Sequence, residues 1–88
     1  MAGSITLLTR PGCELCHEAL GHLRPWADRL RLEVREVDID GDRDLTRQFG
    51  FRIPVFLDDS GRVLAEGRIE GRQAAVAALR ARLARSAK

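Results

Sequence analysis

The chain has 88 residues, 44% of them hydrophobic, with a formal net charge of +2 and two cysteines. That length means a single domain over residues 1–88. The charge is too small to argue for nucleic acid, no apolar run reaches the length of a membrane span, and two cysteines are too few for a disulfide scaffold.

Fourteen of the fifteen basic residues are Arg, and they are scattered rather than blocked. The N-terminus shows no basic segment leading into a long apolar one, so no signal peptide is expected and the chain reads as cytoplasmic. In that compartment a Cys-x-x-Cys pair is catalytic or metal-binding rather than structural.

Ser4 to Thr9 read as a first strand. A helix follows from about Glu14 to Arg31, with Cys16, Ala19, Leu20, Leu23, Trp26, Ala27 and Leu30 on one face near a 3.6-residue period. Trp26 on that face reads as core. Pro25 lies inside the helix, removes the bond to the Gly21 carbonyl, and is expected to kink or split it there. Residues 32–39 read as a second strand whose alternation slips near Arg35-Glu36, which suggests a bulge or a ragged start. Strand, helix, strand is the pattern of a right-handed parallel βαβ unit.

Asp38, Asp40, Asp42 and Asp44 then alternate. A calcium loop begun at Asp38 or Asp40 lacks the glycine at its sixth position and the glutamate at its twelfth. The run therefore reads as a strand end and a helix N-cap rich in Asp, which suits the helix dipole. A short helix is expected from Arg43 to Phe49, with Gly50 as its C′ residue. Pro54 opens a short strand over Val55-Phe56-Leu57. Asp58-Asp59-Ser60-Gly61 is a turn cluster, and Arg62 to Glu66 return as the second arm of an antiparallel hairpin. A last helix runs from about Gln73 to Arg85, with Val76, Leu79 and Leu83 expected inward and Arg80, Arg82 and Arg85 outward. The order is β-α-β-α-β-β-α.

The chemistry concentrates in Thr9-Arg10-Pro11-Gly12-Cys13-Glu14-Leu15-Cys16-His17, where the first strand gives way to the first helix. Cys13 falls at or near the helix N-cap and Cys16 one turn deeper. Residues three apart share a helix face, so the two sulfurs can close a small ring. The early N–H groups of a helix lack internal partners and carry partial positive charge, which favours a thiolate at Cys13. Helix-start cysteines of this kind have pKa values of about 3.5–7.5, against roughly 8.5 for the free residue. Arg10 adds to this effect and Glu14 opposes it. Read from the residues alone, Pro54 is a strand-start proline.

The order of elements, the Cys-x-x-Cys after the first strand and Ile53-Pro54 before the third resemble the thioredoxin fold, an α/β architecture with a four-stranded mixed sheet flanked by helices. The stretch from Thr9 to Cys16 is similar to the Thr-Lys-Pro-x-Cys-Pro-Tyr-Cys of glutaredoxins. The segment from Val37 through Pro54 resembles the middle of thioredoxins. The match is with small bacterial glutaredoxin-like proteins carrying Arg-Pro-Gly-Cys-x-Leu-Cys. The resemblance implies that Cys13 is the nucleophile and Cys16 the resolving thiol. It also implies that Pro54 is cis, set against the cysteines, and that the backbone of Ile53 pairs with an extended substrate segment or with glutathione. Arg10, Gly12 and Arg52 join Ile53 and Pro54 as the substrate-binding set it implies. The chain departs from glutaredoxins in having Arg52-Ile53 where they carry Thr-Val, Leu15 where they carry Tyr, and Gly67-Arg68-Ile69-Glu70-Gly71 where they carry a Gly-rich loop with an Asp. It departs from thioredoxins in having Ile5, Leu7 and Leu8 on a strand where they keep a buried Asp.

The activity expected is dithiol–disulfide exchange. The partners implied are a disulfide-containing protein or a glutathione mixed disulfide, with a reductase or glutathione as electron donor. No resident cofactor is implied; glutathione enters as a co-substrate. A monomer is expected, with neither nucleic acid nor membrane as partner. The rival reading is a metal carrier using Cys13, Cys16 and His17, with His22 more distant, or, as in some glutaredoxins, an iron–sulfur cluster shared between two copies through Cys13 and glutathione. Structural zinc would need two well-placed histidines beside the cysteines, and the ferredoxin-like order of small copper carriers would close on a strand rather than a helix. A third reading is an interaction domain that kept the fold without the chemistry.

Overall fold

The computed structural model describes the backbone of residues 3–86 and the side chains of residues 3–84. Four strands, β1 (Ser4–Thr9), β2 (Glu33–Asp38), β3 (Val55–Leu57) and β4 (Val63–Glu66), form one sheet in the order β2-β1-β3-β4. Three α-helices accompany them: α1 (Glu14–Leu30), α2 (Arg43–Phe49) and α3 (Gly71–Ser86). Strand β1 runs parallel to β2 and antiparallel to β3, and β3 is antiparallel to β4. This is the mixed sheet and element order of a thioredoxin-like fold.

Alternation on β1 explains why the sheet is covered on both faces. Ile5 and Leu7 join one buried cluster with Ala19, Leu23 and Ala27 of α1, Phe56 of β3 and the alanines of α3. Leu8 joins the other, with Ile39, Phe49 and Val55. Helices α1 and α3 thus share one face, and α2 covers the other. Phe56 is fully buried at the centre of the first cluster.

Helix α1 buries Cys16, Ala19, Leu23 and Ala27, with Leu20, Trp26 and Leu30 partly buried against the same cluster, so the 3.6-residue stripe is observed. Pro25 does not split the helix, which continues through it to Leu30. Gly21 and Pro25 are both on the exposed side, where water can satisfy the carbonyl that proline leaves unbonded. The helix ends at Arg31 in the left-handed conformation (φ 58°), with the Leu32 N–H donating to the Ala27 carbonyl at 2.8 Å.

Strand β2 is regular. Its register with β1 runs unbroken from Ser4 opposite Glu33 to Thr9 opposite Asp38, so the slip expected near Arg35-Glu36 is absent. The apparent slip arises because β2 is an edge strand, with Glu33, Arg35, Glu36 and Asp38 all exposed. The sheet's irregularity lies instead on β4, where Ala65 opposes Phe56 and Val63 opposes Leu57, leaving Leu64 as the extra residue. The hairpin turn is fastened by Asp58. Burial pushes its carboxyl up, but the Ser60 hydroxyl and the Arg62 and Ser60 amides donate to it and hold it below the usual range.

The inward face of α3 differs from the expectation. Ala74, Ala77, Ala78 and Ala81 are buried, whereas Val76, Leu79 and Leu83 are about half exposed. Arg80 is exposed as expected, Arg82 is half-buried with a partner, and the side chain of Arg85 lies outside the described residues. The physical reason is proximity: α3 packs against α1, whose facing residues include Ala19 and Ala27, and small residues on both helices let them share one face of a narrow sheet. Ala78→Leu is therefore expected to destabilise the fold by about 1–3 kcal/mol through overpacking. Leu79→Ala should cost less than about 1 kcal/mol despite removing the larger side chain. Urea denaturation of the two variants checks the pair.

Candidate functional site

The end of β1 delivers the chain to a tight loop. The Cys13 N–H donates to the Arg10 carbonyl at 3.3 Å, and Gly12 takes a left-handed conformation (φ 79°) that a side chain would strain. Cys13 then has extended backbone angles as the N-cap of α1, and its Sγ accepts the Cys16 N–H at 3.1 Å. The sulfur stands where a serine or aspartate oxygen usually caps a helix. Cys13 and Cys16 are joined as a disulfide, with Cα atoms 5.2 Å apart. The two are not equivalent. Cys13 is partly exposed, whereas Cys16 is only 2% exposed. Solvent therefore has more access to Cys13 than to Cys16.

The disulfide opens on a cleft of about 560 Å³. Arg10, Gly12, Cys13 and Cys16 line it together, and so do Thr9, His17, Leu20 and Glu36. Glu36 comes from β2, where its pairing with Leu7 brings it to the cleft wall. Nothing local in the sequence marked Glu36; the parallel register put it there. Among the described residues, no group of three or more His, Cys, Asp or Glu side chains gathers where it could hold a metal ion.

Arg52, Ile53 and Pro54 are not part of the cleft wall. They form the loop that starts β3, and Val55 pairs with Leu8 at the end of β1 from which the cysteine loop departs. The Ile53–Pro54 bond is cis, as the resemblance implies, and Pro54 is buried. The Ile53 N–H donates to the Phe49 carbonyl at 3.1 Å, so this donor is engaged within the chain. The Arg52 guanidinium is engaged too. Its Nε and Nη2 donate to both carboxylate oxygens of Glu66, at 2.8 and 2.9 Å, and it lies 4.8 Å from the centre of the Phe49 ring. The Gly67 N–H then reaches the Arg52 and Pro54 carbonyls, at 3.2 and 2.9 Å. Arg52 thus ties the proline loop to β4.

Arg10 links the two loops. Its Nε donates to Asp40 at 3.0 Å and its Nη1 to the Gly50 carbonyl at 3.4 Å. The four alternating aspartates are accounted for in this way: Asp38 accepts the Asp40 N–H, Asp42 caps α2 through the Leu45 N–H, Asp40 holds Arg10, and Asp44 lies in the first turn of α2. Gly50 is not left-handed, as a C′ glycine would be, but right-handed helical. Glycine is needed there for room, because a Cβ would sit 2.5 Å from the Thr46 carbonyl oxygen.

A family model described as "Glutaredoxin-like domain (DUF836)" matches residues 4–84. Uncharacterized proteins of Mycobacterium tuberculosis and Mycobacterium bovis are 33% identical over 60 residues, a match that spans 62% of this chain and 62% of theirs. Among solved structures, a structural-genomics target protein from X. campestris is 29% identical, with a TM-score of 0.69 over 82% of this chain and 91% of that one. A protein from Nitrosomonas europaea is 28% identical, with a TM-score of 0.65 over 82% and 86%. A malarial protein at 17% identity and a TM-score of 0.58, over 94% and 99%, shares the fold alone.

The Arg52–Glu66 pair has a measurable signature. The hydrogen bond from Arg52 holds the Glu66 carboxyl below its ordinary value of 4.5, and the same contact raises Arg52, which stays charged throughout. A depressed carboxylate contributes stability above its unfolded value and loses it as pH falls through the folded one. The gap in thermal midpoint between wild type and Glu66→Gln should therefore be widest near neutral pH and close as pH drops below about 4.5. A gap that stays constant down to about pH 3 would refute the pairing.

Proposed function

This chain belongs to the glutaredoxin-like domain family, and from that membership we propose that it is a thiol–disulfide oxidoreductase working through Cys13 and Cys16. The observation that carries the reading is the unequal exposure of two bonded sulfurs at a helix start. In the reduced protein, the Cys13 thiolate attacks one sulfur of a substrate disulfide. A mixed disulfide forms, and the other substrate sulfur leaves and takes up a proton. Cys16, having lost its proton, then attacks the Cys13 sulfur. The Cys13–Cys16 bond forms, the mixed disulfide breaks, and the second substrate thiolate departs. The substrate gains two electrons and the protein dithiol loses two.

The protein's own groups support each step. The Cys16 N–H and the open end of α1 face the Cys13 sulfur, where negative charge develops on attack and on departure. Cys16 sits buried, one turn in, already within bonding reach of Cys13. A thiol donor that regenerates the dithiol meets Cys13 first, and Cys16 is the group expelled. The loop carrying Ile53 and Pro54 opens β3, which pairs with the end of β1 that leads into the cysteine loop, and the Ile53 carbonyl is the acceptor this loop would present to an extended substrate. Arg10 and Gly12 shape the near wall of the cleft, and Arg52 fixes the loop rather than reaching into it. The substrate is a disulfide-containing protein or a glutathione mixed disulfide; the donor is a reductase or glutathione. No resident cofactor takes part. The reaction suits a monomer in the cytoplasm, where thiols are kept reduced.

Cys13→Ser should abolish disulfide reduction. Cys16→Ser should still take up one substrate equivalent and stop as a mixed disulfide, visible as an added mass that dithiothreitol removes. Turnover by Cys13→Ser, or trapping on Cys16 in place of Cys13, would reverse the assignment. Supplying glutathione or a thioredoxin reductase as the only donor then separates the two electron sources.

A further inference from the structure

The wall of the disulfide cleft carries an unbalanced charge. Besides His17, the ionisable side chains that line it with the two cysteines are Arg10, Glu14 and Glu36. The cation among them is already engaged. Arg10 Nε donates to Asp40 at 3.0 Å and Nη1 to the Gly50 carbonyl, and Asp40 is not part of the wall.

The carboxylates are less encumbered. Glu14 follows the Cys13 cap directly, and among the described residues its side chain has no hydrogen bond or ion pair. Glu36 comes from β2. Its partner in the parallel register, Leu7, is buried in the cluster that packs under α1, so Glu36 extends to that same side of the sheet. Arg24 of α1 marks the side: its Nη2 lies 3.6 Å from Glu36 Oε2, with both side chains about half exposed. So long a contact in water offsets little of the carboxylate's charge, and Arg24 does not line the cleft. Two carboxylates from separate elements thus share one cleft with the reacting sulfurs. At about 6 Å in water, one carboxylate changes the affinity for a single charge by roughly threefold, and two by roughly tenfold.

We infer that Glu14 and Glu36 select substrates by charge, so that the cleft takes disulfides flanked by positive groups and discriminates against anionic ones. The inference rests on the redox reading of Cys13 and narrows its substrates to a charge class. Glutathione, with more carboxylates than ammonium groups, falls on the disfavoured side.

Three small disulfides test this under a common donor: the dication cystamine, neutral 2-hydroxyethyl disulfide and the dianion dithiodipropionate. Assays run at about pH 8, where imidazole is neutral and carboxylates are charged. Each kcat/KM is divided by the rate of uncatalysed exchange with dithiothreitol, which removes the substrate's own reactivity. Ratios between substrates then remove any change in the Cys13 sulfur. Cystamine should exceed the neutral disulfide by roughly tenfold, and the dianion should fall below it. The cystamine preference should drop about threefold in Glu14→Gln or Glu36→Gln and vanish in the double variant, with unchanged thermal midpoints showing that each is folded. About 1 M salt, which shortens screening to about 3 Å, should erase it in the wild type. A Lys-flanked against a Glu-flanked peptide disulfide separates the sources: a Lys preference places the cation on a polypeptide, and equal rates confine the selection to small disulfides. An order that matches the uncatalysed one, or a cystamine preference that survives both substitutions, overturns the inference. A wild type that reduces none of the disulfides sinks the redox reading itself.

Discussion

The hydrogen bond from the Cys16 N–H to the Cys13 sulfur, 3.1 Å long, is the contact on which the site depends. One atom serves two purposes there. As a cap, the sulfur satisfies an N–H that the first turn of α1 cannot bond internally. As the reacting atom of the proposed exchange, it meets positive partial charge already in place before a thiolate forms. Because the cap and the proposed nucleophile are one atom, the helix cannot begin elsewhere without moving that sulfur. The positive φ of Gly12 and the turn closed on the Arg10 carbonyl hold the entry to that cap.

Around this contact the molecule divides support between its two faces. On one, α1 is held against β1 and α3 by alanines and by Phe56, which fixes the axis along which the helix start is aimed. On the other, α2 carries the turn that leads to the proline loop, and two arginines brace it. Arg10 reaches from the cysteine loop to that turn, and Arg52 reaches from the proline loop to β4. Neither guanidinium adds much stability as a partly exposed pair. Their contribution is placement, since each spans two segments that come together only in the folded chain.

What could be read in the sequence was mostly local or periodic. The strand over Ser4–Thr9, the stripe on α1 and the short helix from Arg43 to Phe49 follow from spacing and caps, and so does the position of Cys13. The cis Ile53–Pro54 bond came through resemblance, because the residues alone allow an ordinary strand-start proline. Other features depend on distance in the chain. Glu66 meets Arg52 across 14 positions, and Glu36 reaches the cleft only through strand register. Helix α3 misled for a different reason. Its largest apolar residues were expected to be buried, but closeness to α1 favoured alanine at those positions and left leucine outside.

The charged margin formed by β2 has a consequence at the edge of the sheet. An uncovered sheet edge is a template for any extended polypeptide. Glu33, Arg35, Glu36 and Asp38 make that margin poorly suited to strand addition. Pairing of another extended segment along this flank, a second copy of the sheet included, is thereby disfavoured.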